Sequence, residues 1–102
     1  VIPRKLTRYA LSEDPDKDLG IIFEYKKENL GSIKGVHYLT DLESVFNCLI
    51  KNPNPFRTRN EIRKHLFSIP EQEYIIFYRI EDETIRIVRV LHGSRDLPVS
   101  FQ

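Results

Sequence analysis

Residues 74–91 hold two runs, Tyr74-Ile-Ile-Phe-Tyr-Arg-Ile80 and Thr84-Ile-Arg-Ile-Val-Arg-Val-Leu91, separated by Glu81-Asp-Glu83. β-Branched and aromatic side chains at this density favour extended backbone that packs against neighbouring strands. Three consecutive acids between the runs belong in solvent, so the pair reads as a hairpin with an acidic turn. A short basic, glycine-containing arm, His92-Gly-Ser-Arg95, follows it. Strand alternation puts Tyr74, Ile76, Tyr78 and Ile80 on one face and Ile75, Phe77 and Arg79 on the other. In the second run, Ile85, Ile87, Arg89 and Leu91 oppose Arg86, Val88, Val90 and His92. Both faces are therefore partly apolar, and a sheet covered by helices on one side needs cover on its second face, from the C-terminal arm or from another protein. Arginine stems could supply part of that cover.

Ahead of the hairpin, Lys5 to Leu11 alternates loosely and suits a short first strand. Ser12 and Asp14 are N-cap candidates, Pro15 fits a first helical turn, and Asp16 and Asp18 place negative charge at the positive end of the helix dipole. Leu19, Ile22, Phe23 and Leu30 would line one helical face, and Gly31 ends it. Ser32 can cap a second helix in which Leu39, Leu42, Phe46, Leu49 and Ile50 recur at helical spacing until Asn52-Pro53-Asn-Pro55 stops it. Two helices with a Gly-Ser joint form an αα-hairpin. Gly35 costs about 1 kcal/mol relative to Ala inside a helix. It marks either a late start of the second helix or a close approach of the first. Glu61 to Ile69 reads as a further extended run and Ile69 to Glu73 as a turn. The expected fold class is α+β, with a two-helix hairpin packed on one face of an antiparallel sheet in the order β-α-α-β-β-β.

A chain of 102 residues has material for one modest core, so a single domain over residues 1–102 is expected. Sixteen basic against fifteen acidic residues leave +1, which argues against a general nucleic-acid coat and for a protein partner. One cysteine, Cys48, excludes an internal disulfide, and its place beside the apolar face of the second helix suggests a buried, inert thiol. His37, His65 and His92 stand apart, without metal-ligand spacing, so neither a metal nor a cofactor is expected. His37, on a helix, reads as a surface residue. No apolar run approaches the roughly 18 residues that span a bilayer. The N-terminus lacks the hydrophobic segment of a signal peptide. The expected setting is the cytoplasm, and no weight rests on Val1 to Pro3.

The Glu61-Ile-Arg63 segment, the Tyr74-Ile-Ile-Phe-Tyr-Arg79 strand and the run Ile85-Arg-Ile-Val-Arg-Val-Leu-His-Gly-Ser-Arg-Asp96 resemble the RelE/ParE toxin superfamily of bacterial toxin–antitoxin systems, and within it ParE. The likeness extends back through Tyr38-Leu39, Asp18-Leu19 and an early Leu-Ser to about Tyr9. It implies a compact toxin and a cognate ParD-like antitoxin, with growth arrest and plasmid stabilisation as the outcome. ParE-like toxins bind DNA gyrase and trap its cleaved DNA complex. RelE-like members instead cut mRNA in the ribosome. In ParE-like complexes the antitoxin's C-terminal segment folds as it binds, along the toxin's helices and sheet. No direct sequence-specific nucleic-acid binding is implied except through the antitoxin complex.

RNA cleavage through the 2′-hydroxyl needs a base, cations for the phosphate charge and an acid for the leaving oxygen. By the resemblance, an arginine of RelE-like enzymes falls at Ile75 and a terminal tyrosine at Phe101, whereas Arg95 retains a cation. A different set, Glu61, Arg63, His65 and His92, could converge only if the strand is regular as far back as Glu61. The second-half arginines read either as solvated ion pairs of little energetic weight or as forks for a partner's carboxylates. The reading adopted is a non-enzymatic ParE-like toxin. Arg79, Arg89, His92 and Arg95 are its target-binding candidates, and Tyr25, Tyr38, Phe56, Arg63 and Phe77 its antitoxin contacts. An mRNA endonuclease and a degenerate member without toxicity are the alternatives.

Overall fold

The computed structural model describes residues 6–52 and 57–94. The chain runs β1 (Arg8–Leu11), α1 (Glu13–Leu30), α2 (Ser32–Lys51), β2 (Arg57–Thr58), β3 (Phe67–Glu71), β4 (Tyr74–Glu81) and β5 (Thr84–His92). This is the expected α+β order with a two-residue strand added ahead of the last three. Among the described residues the sheet has five strands in the order β1-β5-β4-β3-β2. It is mixed rather than purely antiparallel, because β1 lies parallel to β5, with Arg8 opposite Thr84 and Leu11 opposite Ile87. The helical hairpin makes this possible by carrying the chain away from β1, so that the strand can meet the last one in the same sense.

Ser12 takes the N-cap position with extended backbone, and Glu13, Asp14 and Asp16 fill the acidic first turn. Gly31, at φ 94°, ends α1 with its N–H donating to the Lys27 carbonyl. Gly35 lies inside α2, and a Cβ there would stand 3.2 Å from the Phe23 ring and 3.5 Å from the Lys27 backbone nitrogen. Its cost in helix propensity is therefore offset by a close helix–helix approach. Ile22 of α1 and Tyr38, Leu42, Phe46 and Leu49 of α2 pack on Tyr74, Ile76, Tyr78, Ile85, Ile87 and Val90 of the sheet. Leu30 does not share the buried face expected for it: it is half exposed at the hairpin tip. Cys48 is exposed, as one residue from Leu49 is a turn of about 100° about the helix axis.

The run from Glu61 to Ile69 is not a regular strand. Ile62 and Arg63 both donate their N–H groups to the Arg59 carbonyl, and Asn60 Oδ1 accepts from the His65 amide at 3.0 Å. His65 itself adopts a left-handed φ of 63°. These local bonds curl residues 59–65 into a compact turn and delay β3 to Phe67. The curl has a packing consequence. It brings Ile62 and Leu66 over the second face of the sheet, where Phe77, Leu91, Ile75 and Val88 complete a second small core. Cover for the second face thus comes from within the described chain, a source not anticipated from the sequence.

A bulge in β5 sets the two cores in register. Phe77 pairs with Arg89 but Tyr78 pairs with Ile87, so Val88 is one residue in excess. After it the alternation is inverted. Val90 joins the helix-side core and Leu91 the second one, the reverse of strict alternation from Ile85. If the curled turn seals the second face, Leu66→Ala should cost about 3 kcal/mol through the cavity it leaves. Urea unfolding measures this, and a loss within the error of a surface substitution would refute the sealing role.

Candidate binding groove and the ion pairs beside it

β1 stops pairing at Ile87, so β5 continues to His92 without a strand on its outer side among the described residues. α1 passes along this stretch. Asp18 reaches the strand edge and accepts the Val90 N–H at 3.0 Å on Oδ2. The same carboxylate grips Arg89 with both oxygens, Nε to Oδ2 at 2.7 Å and Nη2 to Oδ1 at 2.9 Å. Asp18 is 6% exposed, so this is a bidentate, largely desolvated pair that also satisfies a backbone donor. The Asp18 hydrogen bond raises the Arg89 pKa.

One turn and two turns further along α1 stand Ile22 and Lys26. Lys26 is buried and bonds Glu73 in the β3–β4 turn, with its ammonium 4.6 Å from the centre of the Tyr38 ring. Tyr38 donates its hydroxyl to the Glu71 carbonyl at 3.1 Å, and burial pushes its pKa up. Tyr74 packs against Tyr38 on one side and meets His92 edge-on on the other, at 5.4 Å. Burial raises the Tyr74 hydroxyl as well. The Lys26 hydrogen bond holds the Glu73 carboxyl below the usual carboxylate value. His92 Nδ1 accepts the Ser94 amide at 3.1 Å and lies 2.8 Å from Ser94 Oγ.

Between α1 and the end of β5 these residues leave a groove of about 410 Å³. Ile21, Ile22 and Tyr25 form one wall, Tyr74, Val90 and His92 the other. Ile21 is 68% exposed and Tyr25 58%, a large apolar area for a helix of a small domain. Among the described residues no group of His, Cys, Asp and Glu gathers in a way that could hold a metal ion. Nor, among them, is any helix long and apolar enough to cross a membrane.

Residues 9–97 match the family described as ParE toxin of type II toxin-antitoxin system, parDE. The chain belongs to the ParE toxin family. It is 31% identical to Toxin ParE3 of Caulobacter vibrioides over 80 residues, which are 78% of this chain and 80% of that protein. A solved structure of the chromosomal ParDE system from P. aeruginosa superimposes with a TM-score of 0.73, covering 86% of this chain and 96% of that one. At 14% identity that likeness shows a shared fold.

Within this ParE fold the candidate residues separate. Tyr25 is exposed in the groove, and His92 lines its far wall. Tyr38 and Phe77 are not surface contacts: Tyr38 is 5% exposed in the main core and Phe77 is fully buried under Leu66 and Leu91. The acidic group that Arg89 grips is Asp18 of its own chain, which turns the side chain inward. Arg79 is half exposed and pairs with Glu81 at 3.5 Å. Arg63 lies in the exposed turn, and His37 on the exposed side of α2. Phe56, Arg95 and Phe101 fall outside the described residues. The set Glu61, Arg63, His65 and His92 does not converge, since the first three sit in the turn that covers the second face and His92 stands beside Tyr74 and α1.

Sequence reading missed Asp18 as a lock and Lys26 altogether. Both fall on the buried stripe Pro15, Asp18, Ile22, Lys26, and a charged residue in phase with an apolar stripe is the signal that points to a buried pair. Asp18→Asn should destabilise the fold by about 3 kcal/mol, because it removes the carboxylate that balances the Arg89 charge in a largely desolvated site. Addition of Arg89→Gln should then recover part of that loss in a denaturation cycle. For Glu73 the folded pKa lies below the ordinary 4.5, so its contribution is full above that value and is lost as pH falls through the folded pKa. Melting temperature should drop below that pH, and Glu73→Gln should flatten the slope. An unchanged slope would dissociate Glu73 from acid stability.

Proposed function

We propose that this chain is the toxin of a type II toxin–antitoxin pair, that it arrests growth by binding DNA gyrase without catalysing a reaction, and that a ParD-like antitoxin neutralises it through the groove between α1 and β5. The observation that supports this best is the coincidence of an apolar wall, Ile21 and Tyr25, with the part of β5 that β1 leaves unpaired among the described residues. A flexible segment can lay apolar side chains against such a wall while its backbone follows the strand edge. Because the segment orders as it binds, the surface must be large and its anchors few and apolar. Arg79 and His92 remain exposed enough to meet the target, and a gyrase target sets the action in the cytoplasm.

Membership of the ParE family supports the toxin reading, and the missing RNase groups argue against an mRNA endonuclease. Ile75 is apolar and packs into the second core where a phosphate-binding arginine would be needed. The test runs purified protein with gyrase, ATP and relaxed plasmid, in parallel with translating ribosomes and labelled mRNA. Inhibited supercoiling or accumulated cleaved DNA, with intact mRNA, is expected. Ile21→Glu with Tyr25→Ala should lower affinity for the antitoxin by about 30-fold, on the order of 2 kcal/mol, while leaving gyrase inhibition in place. Cut mRNA with unaffected gyrase would overturn the mechanism, and unchanged antitoxin affinity would overturn the groove.

A further inference from the structure

The net charge of +1 conceals a separation of charge. α1 and α2 together carry five lysines against eight acids. The second face of the sheet is the opposite. Cross-strand partners share a face. Arg57 stands across from Ser68, Ser68 from Phe77, Arg79 from Arg86, Arg86 from Ala10, and Arg8 from Thr84. Phe77 belongs to the second core, and Arg79, two residues on, shares its face. Arg8, Arg57, Arg79 and Arg86 therefore all stand on the face away from the helices. Among its described strand residues the acid is Glu81. Arg59, just beyond β2, lies over the Phe77 ring at 5.7 Å and pairs with Glu61 at 3.4 Å.

These arginines form a stripe that crosses from the β2 edge to the β1 edge, four interstrand spacings or ~19 Å. Arg79 and Arg86 are directly opposite, an arrangement that like charges disfavour. Glu81 bonds both, at 3.5 Å and 3.4 Å, so one carboxylate is divided between two guanidinium groups. Arg63 and Lys64 add exposed cations from the curled turn, and Asp82 and Glu83 add acids at the hairpin end. Among the described residues around this face seven cations meet four acids. On the strands the stripe is all arginine, whose planar fork fits two oxygens of a phosphate.

We propose that this second face docks the phosphodiester backbone of a nucleic-acid strand. A track of cations along one line suits a polymer with a charge on every unit, whereas a peptide would have to place acids on one side over the same length. Among the described residues the aromatic ring beneath the stripe, Phe77, is buried, so no described ring on this face is open to base stacking. The contact grips phosphates and does not read sequence. It is separate from the antitoxin groove and is tested without gyrase.

The experiment is fluorescence anisotropy of labelled single-stranded DNA, duplex DNA and RNA, each of about 20 units, titrated with the full chain from about 50 mM salt upward. Log affinity should fall against log salt with a slope of about −3. Arg79→Gln with Arg86→Gln should weaken binding by about tenfold at the lowest salt and reduce the slope by about two. Lys17→Gln with Lys34→Gln, the same change of net charge on the helices, should leave affinity within about two-fold. Melting curves of both variants exclude unfolding as the cause. The preferred oligonucleotide identifies DNA or RNA as the source of the backbone. Absence of salt-dependent binding, equal weakening by the two variants, or tighter binding to polyglutamate of the same length would each overturn the proposal.

Discussion

The Asp18 carboxylate joins three parts of the molecule at one point: the first turns of α1, the Arg89 side chain, and the Val90 amide at the edge of β5. A desolvated pair of this kind is weak evidence of stability by itself, since an apolar replacement can do as well. Its strength lies in direction. The bidentate geometry fixes the helix at one rotation and one height along the strand, and Ile22 and Lys26 then fall one and two turns further on, over the core and over Glu73. With α1 rotated in that way, Ile21 and Tyr25 are left outside as the wall of the groove. The same carboxylate occupies one of the strand-edge donors and so limits indiscriminate edge pairing. Groove and lock are two results of one contact.

The excess residue at Val88 makes the second dependence. Without it, a strand that packs helices on one side would continue in the same phase to its end, and Val90 would face away from α1. The bulge inverts the phase and gives the last four residues of β5 a role on both cores. It also lies beside Arg89, whose side chain can leave the sheet plane toward Asp18 because the local backbone is bent. The curled turn from Arg59 to His65 serves the second core from the other side, with Ile62 and Leu66 as its cover.

Much of the framework was legible because it rests on local periodicity. The spacing of Leu42, Phe46 and Leu49 gave α2, and the two β-branched runs gave β4 and β5. What escaped depends on distant residues or on broken periods. Four residues of β1 carry no mark of parallel pairing with a strand some 76 positions later. The bulge cannot be seen in a sequence that alternates on both sides of it. Tyr38 reads as a surface contact by its residue type, yet it precedes Leu42 by one turn and shares its stripe; its hydroxyl finds a carbonyl, which allows a tyrosine to be buried. The burial of Phe77 escapes the sequence for another reason: its cover is a turn whose curl follows from Asn60 and a left-handed His65. Of the residues that line the groove, the sequence singled out Tyr25, as an antitoxin contact, and His92, as a target contact.

The parallel pairing of β1 with β5 has a consequence for synthesis. A ribosome releases β1 and the helical hairpin first, yet their sheet partner β5 is the last of the described strands to emerge, and the Asp18–Arg89 bond spans 71 residues. Until then the apolar faces of α1 and α2 have no sheet to cover them, and long-range closure of this kind slows folding. A truncated product that lacks β5 therefore loses the groove, the lock and both cores together.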